Sequence, residues 1–391
     1  MAVKRRYLDH NATTPLTKMA RTALLESLEI FGNPSSVHTE GRAAKALLQK
    51  SRRQIADRLK ANPDNVVFTS GASEAAMTLL TPFYHMGRSE VQFSHLYIGA
   101  SEHPSIAEGG RFSKELISII DVDQHGLIQQ DKLKSLLMAH DNAKGLPLIA
   151  IQAANGETGV IQNIQEIAAI VREARGTLIV DLVQYVDKHL IDINHFGGDF
   201  FILSAHKIGG PKGVGAFVSC SNLLTPHPLI IAGGQEKGLR GGTEALPLIA
   251  SFGAAMADCF TEEEIKQLIY LRNRLEDGLQ KISHDVTIFG KGVQRLPNTT
   301  YFTVQDIKAE TMQISFDLAG FSVSAGSACS SGKVKQSRVL KAMGYHILNG
   351  AIRVSTGRCT TSKDIDDFLL IFSQIIGNKN KVSHLKIERY S

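Results

Sequence analysis

Phe200-Phe201-Ile202-Leu203-Ser204-Ala205-His206-Lys207-Ile208-Gly209-Gly210-Pro211-Lys212-Gly213 reads as a buried strand that runs straight into a lysine flanked by Ser204 and His206 and followed by glycines. A surface lysine needs no tight turn around it. A lysine joined to a cofactor as a Schiff base does, because the ligand must come close to the backbone and glycine permits that approach.

Working outward, short β-branched or apolar runs recur at Val66–Thr69, 148–152, 177–180 and Gly215–Ser219, with helix-like stretches between several of them. That alternation predicts an α/β fold with a mostly parallel sheet covered by helices on both faces. Two helices are expected ahead of it, over 17–30 and 39–60, the second with Thr39 as N-cap and Ala43, Leu47, Ile55 and Leu59 near helical spacing. After about residue 260 the pattern changes to a long amphipathic helix over 263–282, strands near 300–304, 321–324 and 351–355, and a closing helix over 363–376. The expected division is a large α/β domain over 13–260 and a smaller α+β domain built from 1–12 and 261–391, with no Pro/Gly/Ser linker between them.

The chain has 391 residues, 43% hydrophobic and 21% charged, with net charge +5. It is long enough to bury a core without staples. Its basic residues are dispersed, and Lys4-Arg5-Arg6 and Arg52-Arg53 are too short to track a phosphate backbone, so nucleic acid is not an expected partner. No apolar run is long enough to span a bilayer, and the first residues lack the apolar core of a signal peptide. The four cysteines, Cys220, Cys259, Cys329 and Cys359, form no C-x-x-C pair. Neither a metal site nor a disulfide framework is indicated, and a reducing, cytoplasmic compartment fits.

Three further stretches carry chemistry. In Val66-Val67-Phe68-Thr69-Ser70-Gly71-Ala72-Ser73-Glu74-Ala75 a strand meets a glycine turn and a helix start. Free N–H groups there suit a phosphate; the plainer reading is an N-cap by Ser70 or Ser73. Thr177-Leu178-Ile179-Val180-Asp181-Leu182-Val183-Gln184 is a buried strand ending in an acid, where open α/β sheets place their ligand crevice. Asp181 can pair there with a protonated ring nitrogen, or serve as a cap or structural ion pair. Val323-Ser324-Ala325-Gly326-Ser327-Ala328-Cys329-Ser330-Ser331-Gly332-Lys333 sets one cysteine among small residues, unlike the apolar company that a core cysteine keeps. The Gly/Ser run gives it reach.

A phosphate cup, a strand-end Asp, a strand-end Ser-x-His-Lys and a late Arg form, in that order, the layout of fold-type I pyridoxal-phosphate (PLP) enzymes. The chain resembles the NifS/IscS-type cysteine desulfurases of the class V aminotransferase family from Tyr7 almost to Ile376. The matching pieces are Tyr7-Leu8-Asp9-His10-Asn11-Ala12-Thr13-Thr14-Pro15, Gly32-Asn33-Pro34-Ser35-Ser36, Ser70-Gly71-Ala72-Ser73-Glu74, Ser101-Glu102-His103, Asp181-Leu182-Val183-Gln184, Ser204-Ala205-His206-Lys207, Arg240-Gly241-Gly242-Thr243 and Ser327-Ala328-Cys329-Ser330-Ser331. The resemblance implies a large domain on a seven-stranded type of sheet. It also implies that Lys207 holds PLP and shuttles the Cα proton, that Asp181 pairs with the ring nitrogen, that His103 stacks on the ring and aids acid–base steps, and that Gln184 bonds the ring hydroxyl. Ala72, Ser73, Ser204 and His206 would hold the phosphate, with Thr243 reaching it from the second subunit of a homodimer. Asn33 and Arg353 would clamp the carboxylate of L-cysteine, the arginine by its planar fork. Cys329 would be the nucleophile that keeps the sulfur as a persulfide while alanine leaves. An iron–sulfur scaffold or a tRNA-thiolation relay would then take the sulfur.

Two positions depart from the family's pattern. Gly156 stands where the second asparagine of Asn-Asn-Glu is usual, so either Asn155 covers its cofactor contact or one polar contact is missing. Leu182 replaces a common alanine beside Asp181. A selenocysteine lyase or another class V aminotransferase is the near alternative, and a non-catalytic protein on a decayed fold the distant one. Gly156 alone supports the latter.

Overall fold

A computed structural model describes residues 5–325 and 336–387, the last ten as backbone only. Strands β5 (Ile117–Ile120), β4 (Ser89–Gly99), β6 (Leu146–Gln152), β7 (Thr177–Asp181) and β8 (Phe200–Ser204) lie side by side and parallel. Every residue of β7 and β8 is buried, as expected for strands covered on both faces. β9 (Gly215–Ser219) runs antiparallel to β8, and β2 (Val66–Thr69) antiparallel to β9, so β2 points with the parallel block. Five of these seven strands, β2, β6, β7, β8 and β9, are the runs expected from the sequence; β4 and β5 are additions to them. β3 (Phe83–Met86) and β10 (Leu224–Pro226) extend the sheet to nine strands among the described residues, because β4 is eleven residues long and its first half pairs antiparallel with β3.

A second, antiparallel sheet orders β11 (Val286–Ile288), β12 (Thr299–Val304), β15 (Ile352–Ser355) and β14 (Ser324–Ala325), and β1 (Arg6–Tyr7) pairs in parallel with β13 (Phe321–Ser322). It has its own core, in which Leu8 joins Leu271, Phe302, Phe316 and Phe368. The helix Glu262–Ile282 packs there and starts at a capping box between Thr261 and Glu264. The helix Thr39–Leu59 is capped by His38, not Thr39: His38 is extended and its Nδ1 accepts from the Gly41 N–H. The closing helix runs on to Ile387, past the expected 376. No helix among the described residues is long and apolar enough to cross a membrane.

One buried ion pair ties the pieces around β2 together. Arg52, on the helix Thr39–Leu59, holds both oxygens of Glu236 at 2.9 and 2.6 Å, and Glu236 accepts the Phe68 N–H at 2.8 Å. Arg52 also bonds the Val66 carbonyl and lies over the Phe68 ring. Removing one partner strands a buried charge. Arg52→Leu should therefore destabilise the fold by about 3–5 kcal/mol, read as a lower thermal midpoint. An unchanged midpoint would show that Glu236 finds another partner.

Candidate active site

The carboxyl ends of β2, β4, β6, β7 and β8 all face one end of the sheet, where open α/β sheets bind ligands. Asp181 ends β7, and Ser204 ends β8, with His206 and Lys207 in the turn that follows. Gly209 has φ +82°, and a Cβ there would meet Thr17 Cγ2 at 2.5 Å, so the turn after Lys207 needs its glycine. Ser101, Glu102 and His103 follow β4, and Ala154 to Glu157 follow β6.

Lys207 Nζ donates to the carbonyls of Asn11 and Ala12 at 2.8 and 3.0 Å. Burial, then the nearby Arg353 charge, pulls its pKa down to about 8. Asp181 accepts the Val183 N–H at 2.8 Å, and burial pushes its carboxyl up to about 6. Gln184 Nε2 donates to the Asn11 carbonyl at 3.0 Å, while its Oε1 is buried with no hydrogen-bond partner among the described residues. His103 caps the short helix Pro104–Ala107 through Nδ1; burial, then Lys207 and Arg338, lowers its pKa. His206 faces Thr13 Oγ1 at 3.3 Å and is brought down to about 4 by burial and Lys207.

The helix Ala72–Leu79 opens at Gly71 with no side-chain cap; neither Ser70 nor Ser73 caps it. Glu74 instead accepts the Ser70 N–H at 2.7 Å and pairs with Arg240. The first N–H groups of that helix are left for a ligand.

Not every expected residue joins this set. Asn33 is exposed, its Oδ1 taken by the Ser35 N–H, and Thr243 is exposed on the loop after Arg240. Cys329 lies outside the described residues. Of the other thiols, burial raises Cys220 to about 11 and Cys259 to about 12, which disfavours their thiolates; Cys359 is exposed.

Asn155 is committed to its own turn. Its Oδ1 accepts from Glu157 N, Thr158 N and Thr158 Oγ1, and its Nδ2 donates to the Ser101 carbonyl. Gly156 contributes its carbonyl, which accepts from Asn11 Nδ2 and from an Arg353 terminal nitrogen. A Cβ at 156 would lie 3.3 Å from Gln184 Nε2. Sequence reasoning gave no separate role to Asp9 and Asn11, which sit at the centre of these contacts. Both lie in the stretch 7–15 that matches the family, but the match assigned them no role.

Residues 6–368 match the family model described as Aminotransferase class-V. The chain is 35% identical over 398 residues to "Cysteine desulfurase IscS" of Dictyoglomus turgidum, covering 98% of this chain and 97% of that protein. Among solved structures it is similar to a NifS-like protein from Rickettsia africae, with TM-score 0.85 and 34% identity over 95% of this chain and 99% of the other. It is also similar to "SspA in complex with cysteine", with TM-score 0.73, 28% identity, and 90% and 98% of the two chains covered. The chain belongs to the class V aminotransferase family and, within it, to the cysteine desulfurases.

Proposed function

We propose that this enzyme is a PLP-dependent cysteine desulfurase that converts L-cysteine to L-alanine and leaves the sulfur on Cys329. The observation that carries the reading is Lys207: a largely buried amine just past a strand end, held by two carbonyls, with its pKa drawn down to about 8 by burial. Three features fit PLP around it. Gln184 Oε1 lacks a donor that a ring hydroxyl would supply. Asp181 is buried with no cation bonded to its carboxyl among the described residues, as a protonated ring nitrogen would require. The uncapped start of the helix Ala72–Leu79, which includes Ser73, can take a phosphate, and Ser204 and His206 would complete its cup. When bound, the cofactor takes up the electron pair released at the substrate Cα.

Lys207 Nζ removes and returns the Cα proton. His103 has a lowered pKa, is neutral near pH 7 and can accept a proton. Arg353 binds the substrate carboxylate; Asn33, exposed with its Oδ1 held by the Ser35 N–H, would have to bring its amide to that site to share the task. The Cys329 thiolate attacks the substrate sulfur; the C–S bond breaks, an S–S bond forms, and the carbon keeps the electron pair and is protonated to alanine. The persulfide sulfur then passes to an acceptor protein, an iron–sulfur scaffold or a tRNA-thiolation relay. A homodimer lets the exposed Thr243 reach a partner's phosphate site. The separate core of the second sheet supports two domains, 13–260 and 1–12 with 261–391. Free Cys220, Cys259 and Cys359 suit a cytoplasmic setting.

Purified protein given L-cysteine and a thiol should release alanine, and Lys207→Ala should lose both the visible band of bound PLP and all alanine release. Native turnover by that variant would overturn the role of Lys207.

Asp181 gives a pH test. Its folded pKa lies above the value of a free carboxyl, so the folded state holds this proton more tightly. Cofactor-stripped protein therefore loses stability as pH rises from about 4 to about 6, by about 3 kcal/mol. Asp181→Asn removes that slope and should melt above the stripped wild type at pH 7–8. Added PLP should raise the wild-type midpoint more than the variant's. A variant that melts lower at pH 8 would show that the carboxylate is already paired.

A further inference from the structure

The segment from Leu8 to Asn11 lies along β15. The Ser355 N–H donates to the Leu8 carbonyl at 2.8 Å, the His10 N–H to the Ser355 carbonyl at 3.2 Å, and the Asn11 N–H to Ser355 Oγ at 3.0 Å. This backbone pairing fixes Asp9 beside Arg353. Asp9 Oδ1 accepts an Arg353 terminal nitrogen at 2.8 Å, with both side chains largely buried. Ser324, which faces Arg353 across the β14–β15 ladder, bonds both Asp9 oxygens at 3.0 Å and receives the same guanidinium nitrogen at 3.3 Å. The other terminal nitrogen of Arg353 donates to the Gly156 carbonyl at 3.0 Å. Arg353 Nε is buried and has no hydrogen-bond partner among the described residues.

A guanidinium on three flexible methylenes points where its acceptors hold it. Here Asp9 and Ser324 hold one end and the Gly156 carbonyl the other, and Nε–H is the donor left without a protein acceptor among the described residues. We propose that Asp9 is a positioning residue for the substrate carboxylate: with the Gly156 carbonyl, it holds Arg353 in the orientation that leaves Nε–H without a protein acceptor. This rests on the reading that Arg353 takes that carboxylate. Asp9 also offsets the Arg353 charge next to Lys207, where the two act in opposite directions on the amine.

The test is a binding titration of the PLP-loaded protein, followed by its visible spectrum, with two probes. L-Alanine carries the α-carboxylate; L-alaninol has the same amine and methyl group without it. Asp9→Ala should weaken L-alanine about tenfold and L-alaninol hardly at all. Asp9→Asn keeps an acceptor oxygen without the charge, and should weaken L-alanine by only about threefold. Equal weakening of both probes in Asp9→Ala, or of neither, overturns the proposal. If Asp9→Ala does not retain colour, Asp9→Asn decides: selective weakening of L-alanine supports the role and equal effects overturn it. A wild type whose spectrum answers neither probe would overturn the reading of the site itself, and this role with it.

Discussion

The short strap from Leu8 to Thr14 is the constraint on which the site depends. Leu8 is buried in the core of the second sheet, and three residues later the Asn11 carbonyl accepts both Lys207 Nζ and Gln184 Nε2 from the large sheet. The Asn11 side chain donates to Gly156 O and Thr299 Oγ1 and accepts from Asn298 Nδ2. One residue thus bonds the turn after β6, the turn after β7, the lysine after β8 and the start of β12. A shift of the second sheet against the first would move the acceptors that hold the lysine.

Burial then sets the protonation states. Lys207 is drawn down to about 8 and Asp181 pushed up to about 6, so burial brings the two groups' titrations toward each other at the same end of the sheet, while both stay mostly charged near pH 7. Such opposed shifts mark groups kept ready for proton transfer or for a charged ligand. Glu102 belongs to the same polar layer. It is fully buried, its carboxyl accepts the Gln152 N–H, and burial together with the neighbouring Asp181 raises its pKa well above the ordinary range. Ser337, the cap of the helix Arg338–Ala342, bonds Glu157 in the turn after β6, and Ser324 bonds Asp9. Both ends of the described chain that flank 326–335 are therefore tied to site residues.

The parallel block was legible because its strands are apolar on both faces and end in chemically distinctive residues, Asp181 and Lys207. The β3–β4 hairpin was not. Its turn, Gly87-Arg88, has a positive φ at Gly87 and suits a two-residue hairpin, but the alternation in β4 breaks at the register shift between Phe93 and His95. His38 escaped notice as a cap because a ring nitrogen does that task less often than the hydroxyl of the neighbouring Thr39. Lys207 stood out from local pattern; Asp181 needed the order of the motifs along the chain, because a strand-end acid also reads as a cap or an ion pair. Asp9 could be found in neither way, because its meaning lies in pairing with Arg353, 344 residues away along the chain. Asn155 also holds its own turn through Oδ1, a role that only its hydrogen bonds reveal.

The most direct measurement of the central claim is to locate the sulfur after a single turnover. The PLP-loaded protein is mixed briefly with L-cysteine, alkylated and digested, and its cysteine peptides are analysed by mass spectrometry while alanine is counted. One extra sulfur on the Cys329 peptide, matched by an equal amount of alanine, is the result expected. Cys329→Ala should still change its visible spectrum with L-cysteine, yet release no alanine. Finding the sulfur on Cys359, with Cys329→Ala still releasing alanine, would contradict the account.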